Sequence, residues 1–336
     1  MDTFGDPSIW LPLAFAGLMG LSILIYVCLD GFDLGIGVLF PFATEAEKDR
    51  MVASIGPFWD ANETWLVLAI GILLVAFPTA HGVILTTLYL PVALMLVGLI
   101  LRGVAFEFRA KAPANRKRLW DLSFWIGSIM ASLSQGFMLG LYVMGLNMTP
   151  FTLLFGAITA VFLTVAYSFI GATWMILKAE GELQAKAIRW ARDGIWGVIL
   201  GLGAISLASP FVSSRIFDKW FTLPELYFLA PLPLISAGLI FLLWGLLRGL
   251  PRENDALCAA PFALTIALFT LGFIGMAYSF YPYVVPERLT IFEAASAPES
   301  LMIILVGTLF VLPMIIGYTV LSYVIFRGKA TELRYD

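Results

Sequence analysis

The chain is organised as long apolar runs separated by short polar links. A transmembrane helix needs about 20 mainly apolar residues to cross a bilayer, and nine runs of this kind are present. They lie near residues 9–41, 56–78, 82–107, 120–145, 151–177, 194–213, 224–248, 258–282 and 300–327. The sixth run is the weakest, because Gly and Ser are frequent in it and Pro210 lies near its end. The pattern predicts an all-α integral membrane protein.

The links between the runs are short, so we expect neighbouring helices to pack antiparallel. The longest links lie near residues 108–119, 178–193 and 283–299, and none resembles a soluble domain. We therefore treat residues 1–336 as a single polytopic membrane domain. The composition agrees with this interpretation: 60% of residues are hydrophobic and 13% are charged, against about 45–50% and about 25% in soluble domains.

The charges on the links predict the orientation of the chain. Nine spans place the two termini on opposite sides of the membrane. With the N-terminus outside, all of the 20 basic residues fall on inside links except Arg102, Arg215, Lys219 and Arg288. Because Lys and Arg accumulate on the cytoplasmic side, we expect the N-terminus outside and the C-terminus in the cytoplasm. The stretch Met1–Ser8 lacks the basic region of a signal peptide, so we expect the first span to be retained.

Five charged residues lie inside the first three apolar runs. Asp30 and Asp33 are in the first run, Asp60 and Glu63 in the second, and Arg102 in the third. A charge at mid-membrane costs about 2.5–3.5 kcal/mol on insertion scales, and such residues usually line polar paths or pair with one another. These five residues are therefore the first candidates for function.

The predicted orientation arranges these charges by depth. At a rise of 1.5 Å per residue, Asp60, Arg102 and Glu63 lie roughly 6–10 Å from the cytoplasmic edge. On the same basis Asp33 is roughly 13 Å and Asp30 roughly 18 Å deep, with Glu107 at the rim. Residues three apart share a helix face, and buried carboxyls can exchange protons through water. The arrangement favours proton uptake from the cytoplasm.

Each charge also has a structural interpretation. Asp60 lies in the first turns of its helix, where the positive end of the dipole stabilises a carboxylate. Arg102 either extends to the interface or pairs with an acid. Asp30 is too deep for either arrangement, but its carboxyl can hold a neighbouring helix or subunit by a hydrogen bond. Asp33 precedes Gly35 and Gly37, which allow close helix approach, so it can act as a structural bridge.

Metal chemistry is restricted by the residues present. His81 is the single histidine, so this chain alone cannot supply two histidines to a haem or a multi-histidine metal site. It follows Pro78 at an outer turn and reads as an interfacial polar residue. Cys28 and Cys258 are far apart and are best read as small buried hydrophobic residues. The sequence contains no basic patch with interleaved aromatic residues, so it does not indicate a nucleic-acid partner.

Several ordered motifs carry a family resemblance. They are LDGFDLGIG at 29–37, GPFWDANETWL at 56–66, RGVAFEFR at 102–109 with WDLSF at 120–124, GATWMILKAEG at 171–181, and YPYVVPERLTIFEAASAPESL at 281–301 with LPMIIGYTVLSYVIFRGK at 312–329. Together they resemble subunit II of cytochrome bd-type quinol oxidases, and most of all the cyanide-insensitive branch. The resemblance extends over nearly the whole chain.

The resemblance implies two four-helix bundles plus one extra helix, in the cytoplasmic membrane of a bacterium. It implies a complex that oxidises quinol and reduces oxygen to water, in which a related subunit I holds two b-type haems, one d-type haem and the quinol site. Subunit II ligates no haem in this family. A small single-span subunit, and a quinone or lipid in an apolar groove, are further partners within this expectation.

The resemblance also implies roles for individual residues. Protons would reach the oxygen-reducing site along a path in this chain that uses Asp30, Asp33 and Asp60. Glu63, where other members can carry an amide, and Glu107 extend this path, and Arg102 is the charge partner of the acids. Trp59, Asn62, Trp65 and Asp121 belong to the same motifs and are expected to support them.

Two other functions fit the buried acids. A proton-coupled secondary transporter would use them equally well, but it favours discontinuous helices in inverted repeats, which the sequence does not show. A purely structural subunit would use the acids only to hold an interface together.

Overall fold

The protein is described by a computed structural model that covers residues 5–212 and 214–330. The helices are α1 (Pro7–Leu39), α2 (Glu45–Ile55), α3 (Trp59–Ala76), α4 (Pro78–Lys111), α5 (Ala114–Val143), α6 (Pro150–Lys178), α7 (Gly181–Val212), α8 (Ser214–Phe221), α9 (Glu225–Leu229), α10 (Pro231–Arg248), α11 (Ala260–Phe280), α12 (Ile291–Ala294) and α13 (Pro298–Ile325). A hairpin of β1 (Tyr283–Val285) and β2 (Leu289–Thr290) precedes α12. Residues 1–4 of the predicted retained N-terminus, and Arg334 of the orientation argument, lie outside the described residues.

Nine helices in the described ranges are long and apolar enough to cross a membrane. They are α1, α3, α4, α5, α6, α7, α10, α11 and α13, and they match the nine predicted runs in order. Helices α1, α3, α4 and α5 form one four-helix bundle, and α6, α7, α10 and α11 form a second. Helix α13 packs against α3 and α1, and α6 joins the bundles by packing on α1 and α5. The predicted architecture is confirmed.

Two of the predicted links are shorter than the sequence indicated. Residues 178–193 were expected to be a link, but α7 begins at Gly181. Its first turns are amphipathic and bury Leu183, Ala187 and Ala191. Because the other face of these turns is polar, a search for continuous apolar runs does not detect them. The link at 108–119 likewise shrinks to Ala112 and Pro113, because α4 and α5 both extend beyond their apolar parts.

A further helix occupies the first link. Helix α2 starts with a capping box, in which Thr44 and Glu47 satisfy each other's backbone N–H groups. It buries Met51, Val52 and Ile55 in the core of the protein. The last link, 283–299, is the β1–β2 antiparallel pair followed by α12, which Thr290 caps in the same way.

The glycines of the 29–37 motif allow α1 to approach both α6 of the second bundle and α5 of the first bundle closely. A Cβ added at Gly35 would overlap the Tyr167 carbonyl oxygen on α6, and one at Gly37 would overlap the Ser128 hydroxyl on α5. Across the first bundle, a Cβ at Gly98 would lie 2.7 Å from the Gly127 carbonyl oxygen. These residues allow backbones to touch, which is a common means of packing helices in membranes.

Aromatic side chains fill the space where α1, α3, α6, α11 and α13 meet. Trp174 stacks on Phe32 with ring centroids 4.1 Å apart and meets Phe262 at 5.0 Å and Phe58 at 5.5 Å. Lys178 lies beside this cluster and donates hydrogen bonds to the carbonyls of Phe326 (2.6 Å) and Gly328 (2.9 Å). The residues that follow α13 are therefore anchored to the second bundle.

We predict that Gly35→Ala lowers the thermal midpoint of the purified complex. The added methyl group must displace the α6 backbone, and overpacking of this kind costs about 1–3 kcal/mol. The matched control is Gly17→Ala on the same helix, because a Cβ there meets nothing within 4 Å. Equal thermal midpoints for the two variants would show that the close approach of α1 and α6 is not needed.

Candidate functional site

Arg102 lies at the centre of a buried charge cluster. Its side chain is 2% exposed and contacts carboxylates from two neighbouring helices. Nη1 lies 3.0 Å from Asp30 Oδ1 and 2.9 Å from Glu63 Oε1, and Nη2 lies 3.6 Å from Asp33 Oδ2. Of the two interpretations of Arg102, the structure therefore shows the paired one, with no extension to the interface.

The local sequence explains how α1 presents two acids to one arginine. Asp30 and Asp33 are three residues apart and share a face, which meets α3 and α4. Gly31 and Gly35 lie on the face that meets α6. Helix α5 also approaches closely here, because a Cβ at Gly127 would lie 2.8 Å from the Arg102 backbone nitrogen. The bundle thus closes tightly around the guanidinium.

Asn62 and Tyr323 extend the cluster towards α13. The Asn62 amide donates to Asp33 Oδ2 at 2.8 Å, and the Tyr323 hydroxyl donates to Asn62 Oδ1 at 3.1 Å. Trp65 makes a parallel link, with Nε1 donating to the Thr319 hydroxyl at 3.2 Å. Sequence reasoning missed Tyr323 and Thr319. Their only signal is that they are hydroxyl-bearing residues one turn apart in an apolar helix.

The cluster is short of partners and of positive charge. Asp30 Oδ2, Asp33 Oδ1 and two nitrogens of Arg102 are buried without a hydrogen-bond partner among the described residues. Such atoms are normally satisfied by protein or by ordered water. If all three carboxyl groups were ionised, two negative charges would lack a counter-charge, which is costly in a low-dielectric interior. Chemically, the cluster is suited to binding water and protons.

Exposure increases along α3 away from the cluster. Asp30 and Asp33 are fully buried, the Glu63 side chain is 27% exposed, and Asp60 in the first turn of α3 is exposed. Glu107, near the end of α4, is also exposed. Asp60 and Glu107 do not contact Arg102 in the described structure. Trp59 lies between them and packs on Phe106 with centroids 5.5 Å apart.

Asp121 belongs to a second charge cluster, at the end of the first bundle where α4 and α5 meet. Arg109, 3% exposed, lies 2.6 Å from both Asp121 and Asp49, and Lys48 lies 2.9 Å from Asp121. Burial raises the pKa of Asp49, but the Arg109 guanidinium and the Lys117 ammonium together outweigh this effect, and the pKa falls below its usual value. Sequence reasoning counted Arg109 only as a link charge and missed this pairing.

The chain matches a known protein family. The family model described as cytochrome bd terminal oxidase subunit II matches residues 11–326. The chain belongs to this family. It is similar to cytochrome bd ubiquinol oxidase subunit 2 of Bacillus subtilis, with 27% identity over 327 residues that cover 90% of this chain and 92% of the relative.

Two further similarities agree with this assignment. Cytochrome bd-I ubiquinol oxidase subunit 2 of Escherichia coli K12 is 25% identical over 368 aligned positions, which cover 94% of each chain. The solved structure of the bd oxidase from Geobacillus thermodenitrificans contains a chain with a TM-score of 0.74. That match covers 95% of this chain and 99% of the other at 17% identity, and so it supports the fold. A member of this family is a multi-pass protein of the bacterial cytoplasmic membrane.

The candidate metal ligands of this chain lie apart from one another in the described structure. His81, the single histidine, lies in the first turn of α4, away from the buried acids. In the part of the chain that the structure describes, no three His, Cys, Asp or Glu residues are grouped to hold a metal ion. Cys28 and Cys258 are both free thiols.

We predict that Arg102→Leu prevents stable accumulation of the protein in the membrane. Breaking a buried ion pair by removing one partner costs about 3–5 kcal/mol, and here three carboxylates lose their cation. Arg102→Lys should be intermediate, because an ammonium lacks the planar fork that reaches both α1 and α3. The measurements are the amount of protein in the membrane and its thermal midpoint.

The matched control for this prediction is Arg116→Leu, at an exposed position in the first turn of α5. A triple variant that combines Arg102→Leu with Asp30→Asn and Asp33→Asn should recover part of the lost protein, because the uncompensated charge is removed. Normal accumulation of Arg102→Leu would show that the cluster does not stabilise the bundle.

Proposed function

We propose that this chain is the subunit of a quinol-oxidising, oxygen-reducing complex that supports a haem-bearing partner and conducts protons to it from the cytoplasm. Two of its relatives are named as subunit 2 of cytochrome bd ubiquinol oxidases. The observation that carries the proposal is the acid cluster around Arg102, buried in the first bundle of a family member. The proposal includes an N-terminus outside and a C-terminus in the cytoplasm.

The graded exposure of the acids supports a proton path. Asp60 would take up protons at the cytoplasmic rim, Glu63 would pass them inward, and Asp30 and Asp33 would hold them beside Arg102. Ordered water would join these separate residues. The buried carboxylate oxygens that lack a protein partner are the atoms that would bind it. Arg102 keeps the acids close together while its positive charge limits the cost of ionising them.

The exposed Glu107 has a less direct role in this proposal. It lies five residues beyond Arg102 on α4 and contacts none of the other acids in the described structure. We place it at the rim, where it would attract protons to the mouth of the path. Trp59 would separate this rim from the interior, and Asn62 and Trp65 would hold α13 against the cluster through Tyr323 and Thr319.

The partner we propose is subunit I, a membrane protein that holds the b-type and d-type haems. Large apolar side chains on the outer faces of α4, α10 and α13 are exposed in the single chain and would be covered by that subunit and by lipid. A bound quinone or lipid and a small single-span subunit complete the proposed complex. Haem chemistry belongs to the partner, since this chain has a single histidine.

A proton-coupled transporter is not favoured. The family match and the curated relatives are to oxidase subunits. The sequence also shows no inverted repeats with the paired discontinuous helices that such transporters favour. A purely structural subunit is separated from a proton conductor by the experiment below.

We predict that Asp30→Asn and Asp33→Asn, made one at a time in the whole complex, lower quinol oxidation by about tenfold or more while the haem content is kept. An amide cannot bind and release the proton that the path must carry, and proton transfer steps of this kind are worth about 10²–10⁴ in rate. Asp60→Asn and Glu63→Gln should give smaller losses, because water has access to their positions. The measurements are haem absorbance, oxygen consumption and proton uptake.

Glu182→Gln, an exposed acid in the first turn of α7, is the matched control and should change none of these quantities. If quinol oxidation and haem content both survive in all four variants, the chain has no proton path through these residues. Loss of haem in the variants would instead assign the acids a structural role.

We also predict that the protein purified from its native membrane carries a second membrane subunit and the absorption bands of b-type and d-type haem. When the two subunits are separated under non-denaturing conditions, the haem absorbance should remain with the partner. Purification of this chain alone in a stable, haem-free and transport-active form would contradict the oxidase assignment.

A further inference from the structure

A chain of neutral polar groups lies beside the acid cluster. The Tyr167 hydroxyl on α6 donates to Gln135 Oε1 on α5 at 2.8 Å, and Gln135 Nε2 donates to the Tyr26 hydroxyl on α1 at 2.7 Å. Tyr26 is 3% exposed and Tyr167 is fully buried. Polar groups in an apolar interior are costly unless they are bonded, so three helices are held in register by these two bonds.

The 29–37 motif places these hydrogen-bonded side chains next to Asp30. A Cβ added at Gly31 would lie 2.9 Å from the Tyr167 ring, so the absence of a side chain at Gly31 makes room for that ring. Tyr26 is one helical turn before Asp30 and interacts with it electrostatically. The glycine and the acid are neighbours in sequence, and together they bring the polar chain to the carboxylate.

The hydrogen bonds of the chain have a fixed direction. An amide nitrogen only donates and an amide oxygen only accepts. Because the Tyr26 oxygen accepts from Gln135, the proton of Tyr26 remains available to another acceptor. Asp30 Oδ2 is a buried oxygen without a hydrogen-bond partner among the described residues, while Asp30 Oδ1 is bound by Arg102. With the amide reversed, the Tyr26 proton would point to Gln135 and away from Asp30.

We propose that Tyr26, Gln135 and Tyr167 are positioning residues for Asp30, forming a donor chain that presents the Tyr26 hydroxyl proton to Asp30 Oδ2. This inference rests on the proposed proton path, in which Asp30 is an inner member. Arg102 holds Oδ1 of the carboxylate, and an ordered water on Oδ2 would connect the Tyr26 hydroxyl to that other oxygen. Hydrogen bonds to the ionised form favour that form, so the chain sets the pH at which Asp30 takes up a proton.

Other charged and titratable groups also act on Asp30. Asp33 faces it from α1, Glu63 from α3, Arg102 from α4, Tyr167 from α6 and Tyr323 from α13. The contribution of the donor chain is therefore measured as a difference between variants that leave Asp33, Glu63, Arg102 and Tyr323 unchanged.

The test is an infrared pH titration of the resting oxidase complex. The C=O stretch of protonated Asp30 is assigned as the band missing from Asp30→Asn. In Tyr26→Phe and Gln135→Leu this band should appear at a pH about one unit higher than in the parent protein, because a donor to the charged carboxylate is lost. Tyr167→Phe should give a smaller shift, since it is two bonds further away. The pH profile of quinol oxidation should move in the same direction.

Tyr318→Phe on α13 is the matched control, because this tyrosine is exposed, and it should titrate like the parent. Tyr26→Phe keeps the ring and its packing, so it tests the proposal even if Gln135→Leu fails to assemble. Identical titrations in all variants, or no Asp30 band in any of them, would overturn the proposal. A shift in Tyr26→Phe without a shift in an assembled Gln135→Leu would also overturn it, because Gln135 would then have no effect on Asp30 through Tyr26.

The resting titration does not depend on turnover. If Asp30→Asn oxidises quinol at the parental rate, the proton path is wrong, while the titration still reports whether the donor chain acts on Asp30.

Discussion

The first bundle depends on the placement of one guanidinium in a region that excludes water. Arg102 is the only base among the buried residues of α1, α3, α4 and α5 that faces Asp30, Asp33 and Glu63 in the described structure. A lone charge in such an environment is strongly unfavourable, so three helices are required to meet at this point. Asn62 and Tyr323 transmit the same requirement to α13. The arrangement that neutralises the charges also determines how the helices pack.

The cluster can form only because backbone surfaces approach closely around it. Gly31 and Gly35 present no side chain to α6, and Gly127 presents none to α4. Larger residues would separate the helices and lengthen the contacts of Arg102, which weakens attraction just where the dielectric constant is low. The alternation of acids and glycines in the 29–37 motif therefore has one explanation. One face of α1 carries charge and the other carries the close packing that keeps the charge from water.

Much of this architecture was predictable, since length and apolarity give the nine spans, and the family resemblance implied two bundles and an added helix. The depth argument placed Asp33, Glu63 and Arg102 at similar depths, but it put Asp30 well below Arg102, although Asp30 Oδ1 and Arg102 Nη1 are 3.0 Å apart. It also grouped Asp60 with these residues, because depth says nothing about which way a side chain points around the helix.

The neutral members of the site were not predictable. Tyr26, Gln135, Tyr167 and Tyr323 are isolated polar residues in apolar helices, and such residues commonly bond only to their own backbone, as Thr164 and Ser168 do here. Their roles depend on contacts between helices that are far apart in sequence. Helix α2 and the start of α7 were missed for a related reason, since their polar faces conceal the buried spacing of Met51, Val52, Leu183 and Ala187.

The two bundles solve the problem of buried charge in different ways, and this difference bears on where the proposed proton path would run. In the described part of the second bundle, no Asp or Glu is buried. Two of its cations bind main-chain oxygens instead, Lys178 at Phe326 and Arg192 at Leu247. Carbonyl oxygens cap a charge but do not exchange protons. Among the residues that the structure describes, the first bundle is the one with titratable acids in its interior and bonding capacity left on their oxygens, so the proposed proton path would run there.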